Sequence, residues 1–253
     1  MTQRSDQRPP LALVHGWGLG SAVWEPLLPE LARCWQVHLA DLPGYRGIAD
    51  DGADFDTTAR TLIEALPNPI TLCGWSLGGM LALRAALLAA ERVRALVLVG
   101  TTASFVARSD WNEAQAPTLV DGFAEGIRRQ PEQTLQRFIA LLNRGDDKAR
   151  TLTRQQLGYL RQDGQPSLAT LARGLDWLHQ VDLRALAPAV GAPCLLIHGA
   201  NDPLNPLAAA RQLANTIPHA QLEVFAGAGH APFHHDGERF CRVLARFGDD
   251  LAR

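Results

Sequence analysis

From Leu11 to Leu98, short apolar runs alternate with longer stretches whose apolar residues recur at helical spacing. The runs LALVH, VHLADL, ITLCGW and VRALVLVG are nearly continuous in apolar residues, and each passes into Gly, Pro or Asp. That is the pattern of parallel strands buried on both faces, which enter loops at the carboxyl edge of a sheet. Between them, AVWEPLLPELARC and DTTARTLIEALP carry the spacing of amphipathic helices. The alternation therefore restricts the chain to βαβ units. At 253 residues, 47% of them hydrophobic, there is material for one sizeable core carrying an inserted subdomain.

The alternation stops after Thr101. From about Ser104 to Arg184 only helix-like patterns remain, in TLVDGFAEGIRR, PEQTLQRFIALLNR, KARTLTRQQLGYLRQ and SLATLARGLDWLHQ. Strand-like runs resume with PCLLIHG and QLEVFAG, and ERFCRVLARFGDDLA closes the chain as a helix. The expected fold class is α/β, a mostly parallel sheet flanked by helices. Residues 1–103 and 185–253 form the expected core, and 104–184 a helical cap insertion.

Several function classes are disfavoured. A net charge of −2 gives no global reason to expect nucleic acid or an anionic membrane as partner. The start, MTQRSDQRPP, is polar and lacks the apolar region of a secretory signal, and no run approaches the roughly 18 apolar residues of a membrane span. The expectation is a soluble, cytosolic monomer. Cys34, Cys73, Cys194 and Cys241 are far apart and form no CxxC pair, so neither a metal site nor a redox pair is expected.

The chemistry gathers at strand ends. Gly74-Trp75-Ser76-Leu77-Gly78 follows the run ITLC and precedes a helix. Small residues two before and two after the serine suit a tight strand-to-helix turn that lifts its Oγ clear of the sheet. A serine hydroxyl needs a base, itself oriented by a carboxylate, and on this kind of sheet the chain order is Ser, acid, His. Asp202 follows CLLIHG in the loop ANDPLNP, and His230 follows LEVFAG in the loop GAGHAPF. Both positions fall at the carboxyl edge, where reacting groups collect. Asp176 and Asp182 lie in the helical insertion and are weaker acids for the role. Among other histidines, His15 reads as a packing residue, His38 and His198 as strand residues, His219 as a turn residue, and His234 and His235 as surface residues. An oxyanion needs two prepositioned N–H donors. Leu77 N–H follows the serine directly, and the glycine-rich loop His15-Gly16-Trp17-Gly18 makes Trp17 N–H the second candidate.

Together, HGWG at 15–18, DLPGY at 41–45, GWSLGG at 74–79, the Asp202 loop and GAGHAPF at 227–233 resemble the α/β-hydrolases. More narrowly, HGWGL, HLADLPG, GWSLGG, ERVRAL, RFIAL, VDLR and HAPF are similar to the pimeloyl-acyl-carrier-protein methyl ester esterases of biotin synthesis. That resemblance implies a cofactor-free serine esterase that removes the distal methyl group of a carrier-bound acyl chain as methanol. It implies a substrate site lined by Trp17, Ser76, Leu77, Phe138, Ile139, Ala140, Leu141, Leu142 and His230. It also implies docking of acyl carrier protein through Arg137, Arg150 and Arg154. Charge agrees with the last point: residues 128–161 carry eight basic and three acidic side chains, a local +5 against −7 elsewhere. A general carboxylesterase, a carbon–carbon bond hydrolase and a hydrolase-like ligand receptor share the same motifs and stay open as alternatives. Two departures stand out. LPGYRGIAD has Arg46 where the family pattern has a glycine, and with only ten residues before LALVH the first antiparallel strand pair of the fold is expected to be truncated.

Overall fold

The computed structural model describes residues 8–252. Six strands make one sheet: β1 (Pro10–Val14), β2 (Gln36–Ala40), β3 (Ile70–Trp75), β4 (Val93–Val99), β5 (Cys194–Gly199) and β6 (Ala220–Phe225). Their order is β2-β1-β3-β4-β5-β6, and every pairing is parallel. Of the four inner strands, β3 and β5 are buried throughout, while the edge strands β2 and β6 are partly exposed. Burial on both faces is why the sequence reads as unbroken apolar runs rather than alternation. Among the described residues the sheet holds no antiparallel strand pair, so β2 forms its edge. Most of the polar N-terminal stretch, residues 1–7, lies outside the described residues.

Helices α1 (Leu28–Leu31), α2 (Phe55–Glu64) and α3 (Leu77–Leu88) connect the first four strands. The stretch AVWEPLLPELARC forms a 3-10 helix over Ser21–Leu27 followed by the single turn of α1, not the continuous helix its spacing suggests. Pro26 and Pro29 each remove a backbone donor, which breaks the ladder twice. Four helices then occupy the chain between β4 and β5: α4 (Pro117–Arg129), α5 (Pro131–Leu142), α6 (Ala149–Asp163) and α7 (Leu168–Gln180). The two ends of this insertion lie side by side, with an isolated bridge between Ser104 and Asp182 and Leu183 N–H donating to Ala103 O at 2.8 Å. Helix α8 (Leu207–Thr216) packs on β5 and β6, and α9 (Pro232–His235) leads into α10 (Gly237–Asp250). The buried face of α10, Phe240, Val243, Leu244 and Phe247, follows the i, i+3, i+4, i+7 spacing of a core-facing helix. No helix is long and apolar enough to cross a membrane among the described residues.

Strand order places the site. From β1 the chain moves outward to β2, then returns to β3 on the other side of β1 and continues through β4, β5 and β6. Between β1 and β3 the winding reverses, which opens a crevice at their carboxyl ends. The loops leaving these two strands are those of His15–Gly20 and Ser76.

Candidate active site

Ser76 sits between β3 and α3 with φ 56° and ψ −121°. A non-glycine residue in this region costs on the order of 1–3 kcal/mol, so the surrounding structure must hold it there. It does so through Ser76 N–H to Val99 O at 2.9 Å, and through Ser76 O accepting from Gly79 N–H at 2.9 Å and Met80 N–H at 3.1 Å. The turn closes only over small residues. A Cβ on Gly74 would overlap the Gly78 carbonyl, and one on Gly78 would overlap the carbonyl oxygen of His15. The spacing of small residues around Ser76 is thus a requirement of backbone against backbone.

Asp202 and His230 are joined in the interior. His230 Nδ1 donates to Asp202 Oδ2 at 2.8 Å, and both side chains are fully shielded from solvent. Asp202 Oδ1 is occupied separately by Leu204 N–H at 2.8 Å and Asn205 N–H at 2.9 Å. Burial acts to raise the Asp202 carboxyl, but the hydrogen bonds from His230 and the Asn205 N–H outweigh it and hold the group below the ordinary carboxylate range. With Nδ1 committed to the carboxylate, His230 Nε2 is left without a hydrogen-bond partner among the described residues and is free to accept a proton. The elbow and the histidine are fastened to each other through Trp75, whose Nε1–H donates to His230 O at 2.9 Å. Phe233 packs edge-on against Trp75 at 5.3 Å and stacks on Trp24 at 4.2 Å, which ties the HAPF segment to the same core.

The loop after β1 brings backbone N–H groups to Ser76. A Cβ on Gly16 would lie 3.2 Å from Ser76 Cβ, so this backbone passes directly beside the serine. Neither Trp17 N–H nor Leu77 N–H donates to a protein group among the described residues, so both are free to meet an anion. The Trp17 side chain is held from above by the insertion. Its Nε1–H donates to Leu171 O of α7 at 2.9 Å, and its ring meets Phe138 of α5 edge-on at 4.7 Å and Phe123 of α4 at 6.2 Å. Gly174 of α7 approaches the indole so closely that a Cβ there would overlap it and lie 3.5 Å from Leu77 Cδ2. The result is a covered site, with Ser76 8%, Trp17 1% and His230 0% exposed.

A serine at a strained elbow, an imidazole polarised by a buried carboxylate, and two free N–H groups are the parts of an acyl-transfer site. A model of the alpha/beta hydrolase fold matches residues 9–236. The chain belongs to the α/β-hydrolases. This α/β-hydrolase is 41% identical over 235 residues, 92% of each chain, to a Nitrosomonas europaea protein named pimeloyl-[acyl-carrier protein] methyl ester esterase. To the protein of that name from Aromatoleum aromaticum it is 41% identical over 242 residues, 94% of this chain and 96% of the relative. Among solved structures, an esterase from Exiguobacterium antarcticum has a TM-score of 0.88 at 23% identity, over 96% of this chain and 92% of that one. At that identity the likeness speaks for the fold.

The α/β-hydrolase places the remaining residues as follows. Of the stretch 138–142, Phe138, Ile139 and Leu142 are buried and Leu141 is half-buried. Ala140 is exposed on the outer face of α5, because one turn of an amphipathic helix cannot point every side chain inward. Arg137 is exposed, and its Nη2 donates to Thr134 Oγ1 at 3.0 Å. Arg150 and Arg154 lie on α6 beside Arg161, lining an open groove of about 390 Å³ together with Leu157. Asp176 is exposed on α7, and Asp182 pairs with Arg184 and Arg108, both away from His230.

Two histidines differ from expectation or gain a role. His198 lies 3.4 Å from Asp202 Oδ2 and makes a 2.7 Å contact with Asn205 O. Burial lowers its pKa against the pull of Asp202, so it is neutral and its Nε2–H donates to Asn205 O. His234 is no surface residue: Nε2–H donates to Val23 O at 2.7 Å and Nδ1 accepts from Gln156 at 3.0 Å, with burial pushing its pKa down to about 4. His15 packs as expected. It is fully buried and neutral, with Nε2 accepting from Leu42 N–H at 3.0 Å, so its 3.7 Å approach to Asp41 is not an ion pair. Arg46 is held in its loop by ion pairs. It takes φ 46°, and its guanidinium pairs with Glu25 at 3.1 Å and with Asp163 at the end of α6, while the adjacent Tyr45 hydroxyl accepts from Gly18 N–H at 3.0 Å.

Proposed function

We propose that this α/β-hydrolase cleaves the methyl ester at the distal end of a pimeloyl chain carried by acyl carrier protein. Ser76 Oγ attacks the ester carbonyl while His230 Nε2 takes its proton. The oxyanion is met by the N–H groups of Trp17 and Leu77. The bond to the methoxy group breaks, His230 returns its proton to that oxygen, and methanol leaves. Water then attacks the acyl-enzyme, giving its proton to His230, and the chain departs as a carboxylic acid with Ser76 restored. Asp202 holds the imidazole in the tautomer that leaves Nε2 free. No metal or cofactor is required by these steps.

The observation that carries the reaction is the Asp202–His230 pair behind the elbow of Ser76; the relatives' name carries the substrate. The apolar residues Phe138, Ile139 and Leu142 suit an acyl chain. Arg150 and Arg154, with Arg137 on the neighbouring α5, suit an acidic carrier protein that docks transiently on a cytoplasmic monomer. The test is methanol release from pimeloyl methyl ester on acyl carrier protein, beside the carrier-free ester and short p-nitrophenyl esters. Strong preference for the carrier-bound ester is expected. Equal or faster turnover of the short esters would remove the substrate and leave only a general esterase.

A further inference from the structure

The loop that carries His230 runs from Gly227 to His230, and its polar groups are bonded to the insertion as well as to the core. Gly227 O accepts from Asp147 N–H at 3.0 Å, Gly229 N–H donates to Asp146 Oδ2 at 2.7 Å, and His230 N–H donates to Leu142 O at 3.1 Å. All three partners lie at the end of α5 or in the turn between α5 and α6. The same turn reaches the acid loop, where Asn201 Nδ2–H donates to Gly145 O at 2.8 Å.

Asp146 is the charged centre of this junction. Its side chain is 1% exposed. Besides Gly229, it accepts from Lys148 N–H at 2.7 Å through Oδ1, and the same oxygen is 3.0 Å from His235 Nδ1. Lys148 Nζ in turn donates to His235 O at 2.6 Å. A carboxylate is costly to bury unless its oxygens are met by donors, and here each donor fixes a different segment. One belongs to the residue preceding His230, one to the start of α6, and one to α9 just beyond. A side chain at position 146 is also held against the loop sterically, since a Cβ on Gly229 would lie 3.3 Å from Asp146 Cβ.

We propose that Asp146 is a positioning residue for catalysis: from the insertion it fixes the backbone immediately before His230, and so the direction of the imidazole. The inference rests on His230 being the base. Asp146 touches no reacting atom and acts through Gly229. An Asp146→Ala chain leaves the Gly229 N–H without its acceptor and the loop without its charged anchor. An Asp146→Asn chain keeps the shape but cannot accept from Gly229 and Lys148 at the same time, because one of its two terminal atoms is itself a donor.

The experiment compares wild type, Asp146→Asn, Asp146→Ala and His230→Ala on p-nitrophenyl butyrate and on a methyl ester. Active sites are counted by stoichiometric labelling with a p-nitrophenyl phosphonate. The expected result is an undiminished count in both Asp146 variants and a fall in kcat per labelled site of about 10- to 100-fold for Ala, smaller for Asn, on both esters alike. KM should stay within about twofold. The far-downfield NMR resonance of the proton between His230 Nδ1 and Asp202, identified by its absence in His230→Ala, should broaden or shift in the same order. A per-site kcat within about twofold of wild type in both variants, or a loss carried entirely by fewer active sites or by KM, overturns the inference. Should Asp146→Ala not fold, Asp146→Asn decides alone. Activity retained by His230→Ala would instead overturn the reading of the site itself.

Discussion

Asp202→Asn separates orientation of the imidazole from every other contribution of the acid. Leu204 N–H and Asn205 N–H occupy Oδ1 at 2.8 and 2.9 Å, so the amide oxygen must take that place and the NH2 group must face His230. Two donors cannot share the 2.8 Å gap, so His230 Nδ1 becomes the acceptor and the ring proton moves to Nε2. The nitrogen proposed to take the Ser76 proton is then already protonated. In a serine–histidine–aspartate site this change lowers kcat by about 10⁴, equivalent to about 5.4 kcal/mol of activation free energy. The fold should survive, since shape and the two loop hydrogen bonds are kept. The assay is kcat for ester hydrolysis corrected for active-site titre, with the melting temperature measured beside it. A folded variant whose kcat lies within about tenfold of wild type would refute the argument that Asp202 sets the tautomer.

Reversing charge with Arg150→Glu and Arg154→Glu should raise KM for the carrier-bound ester by about tenfold or more and leave p-nitrophenyl esters unchanged, because both guanidiniums are exposed and remote from Ser76; equal effects on both substrates would count against docking there. Gly174→Ala forces a methyl into the Trp17 indole, an overpacking cost of about 1–3 kcal/mol and a melting temperature lower by roughly 2–12 °C. Calorimetry that shows no change would mean α7 does not seat on Trp17. His234 titrates near 6.5 when unfolded and at about 4 when folded, so the unfolded chain binds the extra proton between these values. Stability should therefore fall as pH is lowered through that window, by up to about 1.4 kcal/mol per pH unit from this group, and His234→Gln should flatten the slope in urea unfolding. Asp202, whose folded pKa is depressed, contributes stability that is present above the ordinary carboxylate range and lost as pH falls through its lowered value, so Asp202→Asn should flatten the acid limb below about pH 4.

The strands were legible because a parallel sheet buries both faces, and the order of Ser76, Asp202 and His230 was legible because each follows a strand at one sheet edge. The first helix was not, since its apolar spacing is real while Pro26 and Pro29 break its hydrogen bonds. His234 was misplaced for a different reason. Its position before α10 suggests exposure, whereas α9 turns it into a pocket made by Val23 and Gln156, which lie far away in sequence. The supports of the site were hidden in the same way. Trp75 meets the His230 carbonyl across 155 residues, Asp146 meets Gly229 across 83, and Tyr45 meets Gly18 across 27. No local pattern encodes such pairs. They depend on how the insertion seats on the core, and one of two adjacent aspartates in a basic stretch carries no sign of it.

That seating ties the cover to the chemistry. The loop offering Trp17 N–H is bonded to α7 through the indole, and the loop carrying His230 is bonded to the end of α5 through its own backbone. Arg46 adds a third link, from the core to the end of α6. With Ser76 only 8% exposed, the insertion covers the serine. A rotation of α7 must either break the 2.9 Å bond to the indole or carry Trp17 with it, and a displacement of α5 acts on the His230 backbone. Seating of the insertion and alignment of the proposed oxyanion donor and base are therefore coupled. Substitutions on the inner face of the insertion should then change kcat and KM together, while those on its outer arginines should change KM for the carrier alone.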